Sequence, residues 1–321
     1  MLVLSSHFVP LPGQAPESAD NGTVRSFGNA AEELRASSSQ AVCIEDSGFR
    51  CIRVTGDDRT RALHNLCTND VEGLSPGEFC EVFFTSVKAR ILQNGYVSSH
   101  EGCHCIWLPG GDCESFLAHL RKYAFRTDVE YVPQESVVSV LIGPDSLRIV
   151  NSELGSTITA SGLTGICTSW NENPVALFLA EEPPASSEPR SVAFSGRDLI
   201  EYWRIQEGLP VTGTDLTEDH LAPEAGRNEL AISYRKGCYL GQEPIARIHA
   251  MGHVNRKLFR CELSAGGDEE SLGTVTSVSD LQAGCRVGLV VLRVADAASP
   301  VTVALPCGGT AVARVRGASG E

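Results

Sequence analysis

The stretch Arg235-Lys236-Gly237-Cys238-Tyr239-Leu240-Gly241-Gln242-Glu243-Pro244 concentrates more chemistry than any other part of this 321-residue chain. Two glycines bracket a cysteine and a tyrosine. Glycine reaches positive φ and lets another backbone or a ligand come close. Gln242, Glu243 and Pro244 read as the first turn of a helix running on through Ile245, Ala246, Ile248 and His249, since proline is well accommodated there. Cys238 is then expected on a tight loop just before a helix N-terminus, beside Lys236 and Arg235. Each of these features favours the thiolate. Two readings stand: a partly exposed, reactive thiol, or one of twelve cysteines acting as a small buried filler.

Charge reverses locally around this stretch. Arg235, Lys236, Arg247, Arg256, Lys257 and Arg260 lie close in sequence with His249 and His253, opposed only by Glu243, in a chain of formal net charge -14. Either this is a solvated basic face paired with Asp215, Glu218, Asp219, Glu224 and Glu229, or it is a site for an anionic ligand. The overall charge argues against nucleic-acid binding through the whole surface. No apolar run approaches the roughly 20 residues that cross a bilayer, so no membrane partner is expected. Met1 to Pro10 lacks a basic n-region, which with reduced thiols suggests a cytoplasmic protein. There is no CxxC. Cys103-His104-Cys105 sits in an apolar, strand-like run, and its spacing makes a poor metal set, so no metal site is expected.

Further out, the text reads as α+β with mixed, largely antiparallel sheets. Residues 1–25 read as a loose N-terminal segment rich in Pro, Gly, Ser and Ala. A short helix is expected from Asn29 to Ala36. Ala41 to Glu45 and Phe49 to Thr55 alternate around Asp46-Ser47-Gly48, a hairpin signal. Asp57 or Asp58 caps a helix carrying Ala62, Leu63 and Leu66. Strands follow at Phe79 to Thr85, Arg90 to Ser98 and Cys103 to Leu108. A helix capped by Asp112 runs from Cys113 to Phe125, and a strand from Val137 to Ile142. Glu181 to Arg190 reads as an exposed loop, and Asp198 to Glu207 as a helix ended by Gly208. From Val254 on, short β-rich runs alternate with Gly, Ser and Asp, as in a small β-barrel. The expected division is 1–25, a main region 26–250 of two subdomains, and a barrel 251–321.

The motif Lys236-Gly237-Cys238-Tyr239-Leu240-Gly241-Gln242-Glu243, followed by Arg247, resembles the signature of the YgfZ branch of the superfamily that contains the glycine-cleavage aminomethyltransferase, or T-protein. Val54-Thr55-Gly56-Asp57-Asp58 and Leu66-Cys67-Thr68-Asn69-Asp70-Val71 are similar to that family's N-terminal text. Arg204-Ile205-Gln206-Glu207-Gly208-Leu209-Pro210 is similar to its helix end, and Gly273-Thr274-Val275-Thr276-Ser277 to a barrel strand. The resemblance spans about Ala41 to Val315. It implies a folate-binding α+β region around a central channel, completed by a C-terminal barrel, with tetrahydrofolate as ligand. Pterin walls would come from Phe49, Trp203 and Tyr239, although core packing explains Phe49 and Trp203 equally well. Cations for the glutamate tail would come from Lys236, Arg247 and Arg204. Gln206, Glu207, Gln242 and Glu243 complete the candidate contacts.

The aminomethyltransferase branch carries acids in a "G-G-I-I-D-D" strand start. Here Ala89-Arg90-Ile91-Leu92-Gln93-Asn94 stands in that place, and amides cannot act as general base. Gln206 is a second departure, where relatives often have Glu. The resemblance therefore implies a folate-binding accessory protein that assists iron–sulfur clusters in client enzymes, tRNA-modifying ones among them, with Cys238 as the working residue. Two other readings stay open: a folate-dependent aminomethyl transferase, and an RNA-binding module using the basic segment.

Overall fold

In the computed structural model the described residues are 17–18, 24–27, 29–153, 164–179, 192–266, 270–282 and 284–316. Most of the expected loose N-terminal segment, and the whole of the expected 181–190 loop, lie outside them.

Short strands β1 (Glu17–Ser18) and β2 (Val24–Ser26) pair antiparallel and lead to α1 (Ala30–Ser39), capped by the Asn29 side chain, which accepts from Glu32 N. Then come β3 (Val42–Ile44), β4 (Arg50–Thr55) and α2 (Arg59–Leu66). An antiparallel run of β5 (Phe79–Thr85), β6 (Ile91–His100) and β7 (Cys103–Leu108) precedes α3 (Cys113–Tyr123). Asp112 caps α3 by accepting from Glu114 N and Ser115 N, as its position predicts. β8 (Glu130–Pro133), β9 (Val138–Ile142), α4 (Ser146–Glu153), β10 (Thr164–Trp170), β11 (Asn173–Leu179) and β12 (Ala193–Phe194) follow. After α5 (Arg197–Glu207) the chain makes α6 (Asn228–Ala231) and α7 (Gln242–Met251). The last strands are β13 (Arg256–Ala265), β14 (Thr274–Gln282), β15 (Cys285–Arg293), β16 (Val301–Ala304) and β17 (Thr310–Val315).

These form two five-stranded sheets, β5-β6-β7-β4-β8 and β10-β11-β9-β3-β12, and a closed barrel β13-β15-β14-β16-β17. Pairing is antiparallel except for β12 with β3 and β14 with β16. The α+β class, the largely antiparallel sheets and the C-terminal barrel match the expectation.

The expected hairpin is corrected. β3 pairs with β9 and β12, whereas β4 pairs with β7 and β8, so the two strands belong to different sheets. Every residue of β3 is buried, and its neighbours come from distant sequence. The Asp46-Ser47-Gly48 turn, with Gly48 at φ +83, moves the chain between sheets. Ser47 N and Oγ both donate to Val138 O, which fixes the crossing.

The first sheet is buried on both faces. Val82 and Phe84 of β5 join Leu63, Leu66, Phe116 and Leu120 beneath α2 and α3, with Phe84 edge-on to Phe116 at 4.8 Å. Phe83 points the other way, into the main core with Trp107, Trp170 and Phe49. Strand alternation therefore sends successive residues to two different cores. α2 and α3 are thus held side by side on one face of this sheet.

One buried polar chain couples this core to pH. Trp107 Nε1 donates to Ser98 Oγ at 2.9 Å, leaving the hydroxyl proton for His100 Nε2, 2.7 Å away. His100 is therefore a neutral acceptor. Burial first, then His104 and Arg53, push its pKa down to about 4. Between about 6.5 and about 4 the unfolded chain binds a proton that the folded chain refuses, so stability falls as pH drops through that window. The expected loss by pH 4.5 is about 1–2 kcal/mol, reduced from the full linkage value by solvent screening. Urea midpoints at pH 7 and pH 4.5 measure it, and His100→Gln should shrink the difference.

Candidate functional site

The cysteine motif is sewn onto the C-terminal end of α2. A helix end leaves its last carbonyls without partners. The Lys236 ammonium donates to His64 O at 2.5 Å, Cys67 O at 2.9 Å and Asn69 O at 2.7 Å. Leu240 N donates to Asn65 O at 2.9 Å, and Thr85 Oγ1 to Leu240 O at 2.8 Å. A cation there also meets the negative end of the helix dipole. Burial pulls the Lys236 pKa below the ordinary lysine range, against the raising influence of Cys67 and Asp70.

Gly241 closes the loop at φ +84 as the N-cap of α7. A Cβ at that position would stand 2.5 Å from Ser86 O and from Thr85 Oγ1, so only glycine fits. Gly237 carries no such constraint: a Cβ there would come no nearer than 3.7 Å, to His64 Nε2.

Between these two anchors Cys238 is exposed. It lines a cleft of about 540 Å³ with Tyr239 and Leu240. The opposite walls are one face of α2 (Asp58, Arg61, Ala62, Asn65, Leu66) and the end of α3 (Tyr123, Thr127). All twelve cysteines are free, and only Cys238 and Cys307 are exposed. Burial pushes the thiols of Cys43, Cys67, Cys80 and Cys261 up, the last to about 12, which makes them poor nucleophiles at neutral pH. Cys238 is therefore an exposed thiol at the cleft wall and not a buried filler.

The structure divides the sequence-derived set. Tyr239 joins Cys238 in the cleft, with the Lys236 ammonium 5.0 Å from its ring centroid. Lys236 is no free ligand cation, because its three donors are taken by carbonyls. Arg204 is corrected likewise. It is buried, donates from Nε and Nη2 to Glu201 at 2.8 and 2.6 Å, and reaches Asp215 at 2.9 Å and Ser277 Oγ at 2.7 Å. Asp215 and Ser277 tie α5 to the barrel. Gln206 accepts from Arg316 Nη1 at 2.6 Å, and Glu207 accepts from Arg227 at 2.9 Å and from Asn171 N at 2.8 Å. Phe49 is stacked on Trp170 at 6.0 Å, and Trp203 Nε1 donates to Ser37 Oγ at 3.0 Å. Both are core residues, the alternative that sequence left open. Gln242, Glu243 and Arg247 lie on α7 outside the cleft lining.

The basic segment is partly spent as well. Arg256 Nε meets Glu224 at 3.2 Å, and Arg260 Nη1 donates to Gln206 O at 2.6 Å. His104 faces Thr60 Oγ1 at 2.8 Å and Ser98 O at 3.3 Å.

Gln93 and Asn94 are buried on β6. Gln93 Nε2 donates to Gly110 O at 2.9 Å; Asn94 donates to Pro210 O at 2.9 Å and accepts from Thr212 Oγ1 at 2.6 Å. Ala89, which stands at the first glycine of the pattern, holds φ +60.

Sequence reasoning missed the α2 and α3 walls. Positions 58, 61, 62, 65 and 66 do share a helical face, a legible signal. Nothing local says that this face meets a loop some 170 residues later.

No family model matches the chain. A chloroplastic protein of Arabidopsis thaliana bearing a transferase name is 27% identical over 280 residues, which are 80% of this chain and 64% of that protein's length. A tRNA-modifying protein YgfZ of Colwellia psychrerythraea is 23% identical over 227 residues, 67% of this chain and 70% of that one. The mitochondrial iron–sulfur cluster assembly factor IBA57 of Mus musculus is 24% identical over 286 residues, 78% of this chain and 77% of that one. Among solved structures, the glycine cleavage system aminomethyltransferase T of Bartonella henselae superposes with a TM-score of 0.77 over 97% of each chain at 17% identity, a likeness of fold. The chain that carries this anchored cysteine loop is thus similar in sequence to proteins named YgfZ and IBA57, and in fold to the glycine-cleavage aminomethyltransferase.

Proposed function

We propose that this protein assists iron–sulfur cluster assembly or repair in client enzymes, tRNA-modifying ones among them, with Cys238 as the working residue and a reduced folate bound beside it. The observation that carries the reading is the exposed thiol on a loop pinned at Lys236 and Gly241, at the wall of a small-molecule-sized cleft. The names of the YgfZ and IBA57 relatives point the same way. The lining of the cleft suits a folate: Tyr239, Leu66 and Leu240 give apolar and aromatic wall, Asn65 an amide for a pterin edge, and Arg61, exposed and paired with Asp58 at 2.6 Å, outer N–H groups that a ligand carboxylate can share. The ligand would supply one-carbon chemistry; the chain would orient it and keep a thiol against it.

Aminomethyl transfer is the weaker reading, because the Gln93 and Asn94 amides hold structural hydrogen bonds and do not titrate, so they cannot serve as general base. Twelve unpaired cysteines suit a reducing compartment such as the cytoplasm. Among the described residues no helix is long and apolar enough to cross a membrane.

The test is rescue of an iron–sulfur client activity in cells lacking the endogenous relative. Cys238→Ala should lose most of the rescue at equal protein level, and full rescue by that variant would overturn the role of the thiol. Titration with tetrahydrofolate, followed by intrinsic fluorescence, should saturate; a flat response would remove folate from the proposal.

A further inference from the structure

Beside the thiol, the end of α3 forms a ridge that neither the fold nor the cleft explains. Phe125 is 77% exposed, the largest exposure among the large hydrophobic residues described. The Arg126 guanidinium lies 5.1 Å from its ring centroid, and Lys122 Nζ lies 5.8 Å from that of Tyr123, a residue of the cleft wall. The turn is rigid: Thr127 N and Oγ1 both donate to Ala124 O, at 3.2 and 2.8 Å. Arg126 is held at φ +64, a conformation that costs a non-glycine residue free energy and that clusters at functional sites. The neighbouring Asp58 and Asp128 carboxylates are engaged locally by backbone N–H groups and by Arg61. Asp57 N donates to Asp128 at 2.9 Å, Asp128 N donates to Asp58 at 2.9 Å, and Asp58 also holds Arg61 at 2.6 Å. In a chain of net charge -14, the ridge therefore presents aromatic rings capped by cations next to Cys238.

We propose that the Lys122–Arg126 ridge docks an acidic polypeptide segment of the client, with an apolar side chain of that segment on Phe125 and its carboxylates on Lys122 and Arg126. This rests on the reading of Cys238 as the working thiol, and it names the surface that delivers a partner to it. Charge complementarity selects the partner: two cations attract a short acidic segment, while the acidic remainder of the protein repels a long polyanion. A cation held over an aromatic ring leaves the ring edge and the outer N–H groups free for a second molecule.

Thiol–disulfide exchange reads the docking directly. The full chain, carrying Cys307→Ser so that Cys238 is the one exposed thiol among the described residues, is mixed with short peptides. Each peptide has one leucine and one cysteine activated as a 2-thiopyridyl disulfide, flanked by glutamates in one peptide and by lysines in the other. The Cys238 thiolate attacks the peptide sulfur, a protein–peptide disulfide forms, and pyridine-2-thione leaves and is counted by absorbance. Each peptide's rate is divided by its rate with free glutathione, which cancels the reactivity that its own charges give the disulfide, so the ratio of the two quotients reports the surface.

The acidic peptide should react about tenfold faster at low salt. Lys122→Glu with Arg126→Glu should bring the ratio to one or below, and Phe125→Ser should slow both peptides while keeping the ratio. A wild-type ratio near one, or a ratio unmoved by the double charge reversal, overturns the proposal. So does a single-stranded RNA oligomer that suppresses the acidic peptide's reaction at stoichiometric concentration, which would make the ridge a nucleic-acid surface. The ratio does not depend on client rescue, so failure of the ridge and failure of the Cys238 function appear in separate experiments.

Discussion

An Arg227→Leu variant is expected to lose about 3–5 kcal/mol of stability, the cost of leaving a buried charge without its partner. Arg227 and Glu81 are 7% and 8% exposed. The guanidinium grips both Glu81 oxygens, one of them at 2.6 Å from Nη2. It also donates to the Glu207 carboxylate and carbonyl, each at 2.9 Å. Glu81 lies on β5 and Glu207 ends α5, so one side chain ties the first sheet to the helix that carries the barrel. Leucine would strand the Glu81 carboxylate in the interior. Urea unfolding at pH 7 measures the loss. The double variant Glu81→Leu with Arg227→Leu should recover most of it, since apolar replacement of a whole buried pair is often near neutral. A double variant no better than the single one would show that Arg227 acts by some other means than its charge.

A Lys236→Met variant is the second large effect, expected at about 2–4 kcal/mol, because three carbonyls at the end of α2 lose charge-assisted donors. Methionine keeps the length and apolar stem of the side chain but donates nothing. The consequence should reach the site: with its first anchor gone, the 236–240 loop should become a preferred point of limited proteolysis, and Cys238 should label faster with a small thiol reagent. If this variant kept wild-type stability and lost only ligand affinity, Lys236 would be a ligand cation after all, and the capping account would fail.

Much of the architecture can be read locally. The helix opening at Gln242, the Asp112 cap, the ends of β5 and β7, and the barrel-like rhythm after Val254 all follow from short-range physics. Capping residues satisfy orphan amides within three positions, alternation has a period of two, and glycine at a positive φ marks its own turn. The resemblance around Cys238 rests on the same kind of compact text.

Partnership across long separations is what the amino-acid order left undetermined. Asp46-Ser47-Gly48 has the composition of a hairpin, yet β3 and β4 part into separate sheets because β9 and β12 offer β3 a fully buried place. Lys236 and Arg204 carry the charge of ligand contacts, yet the first ends on carbonyls 167 to 172 positions earlier, and the second on Asp215 and a barrel serine. A cation's sequence neighbours say that it can bind an anion or a carbonyl; packing decides which one removes it from water first. The sequence alone therefore determined many of the elements and the barrel, though not β8, α4, β10, β11, β12 or α6, and it singled out the thiol to examine. The tertiary structure decided which cations remained free, which wall faced Cys238 and that α2 would be half of it, because these depend on which surfaces of distant segments bury each other.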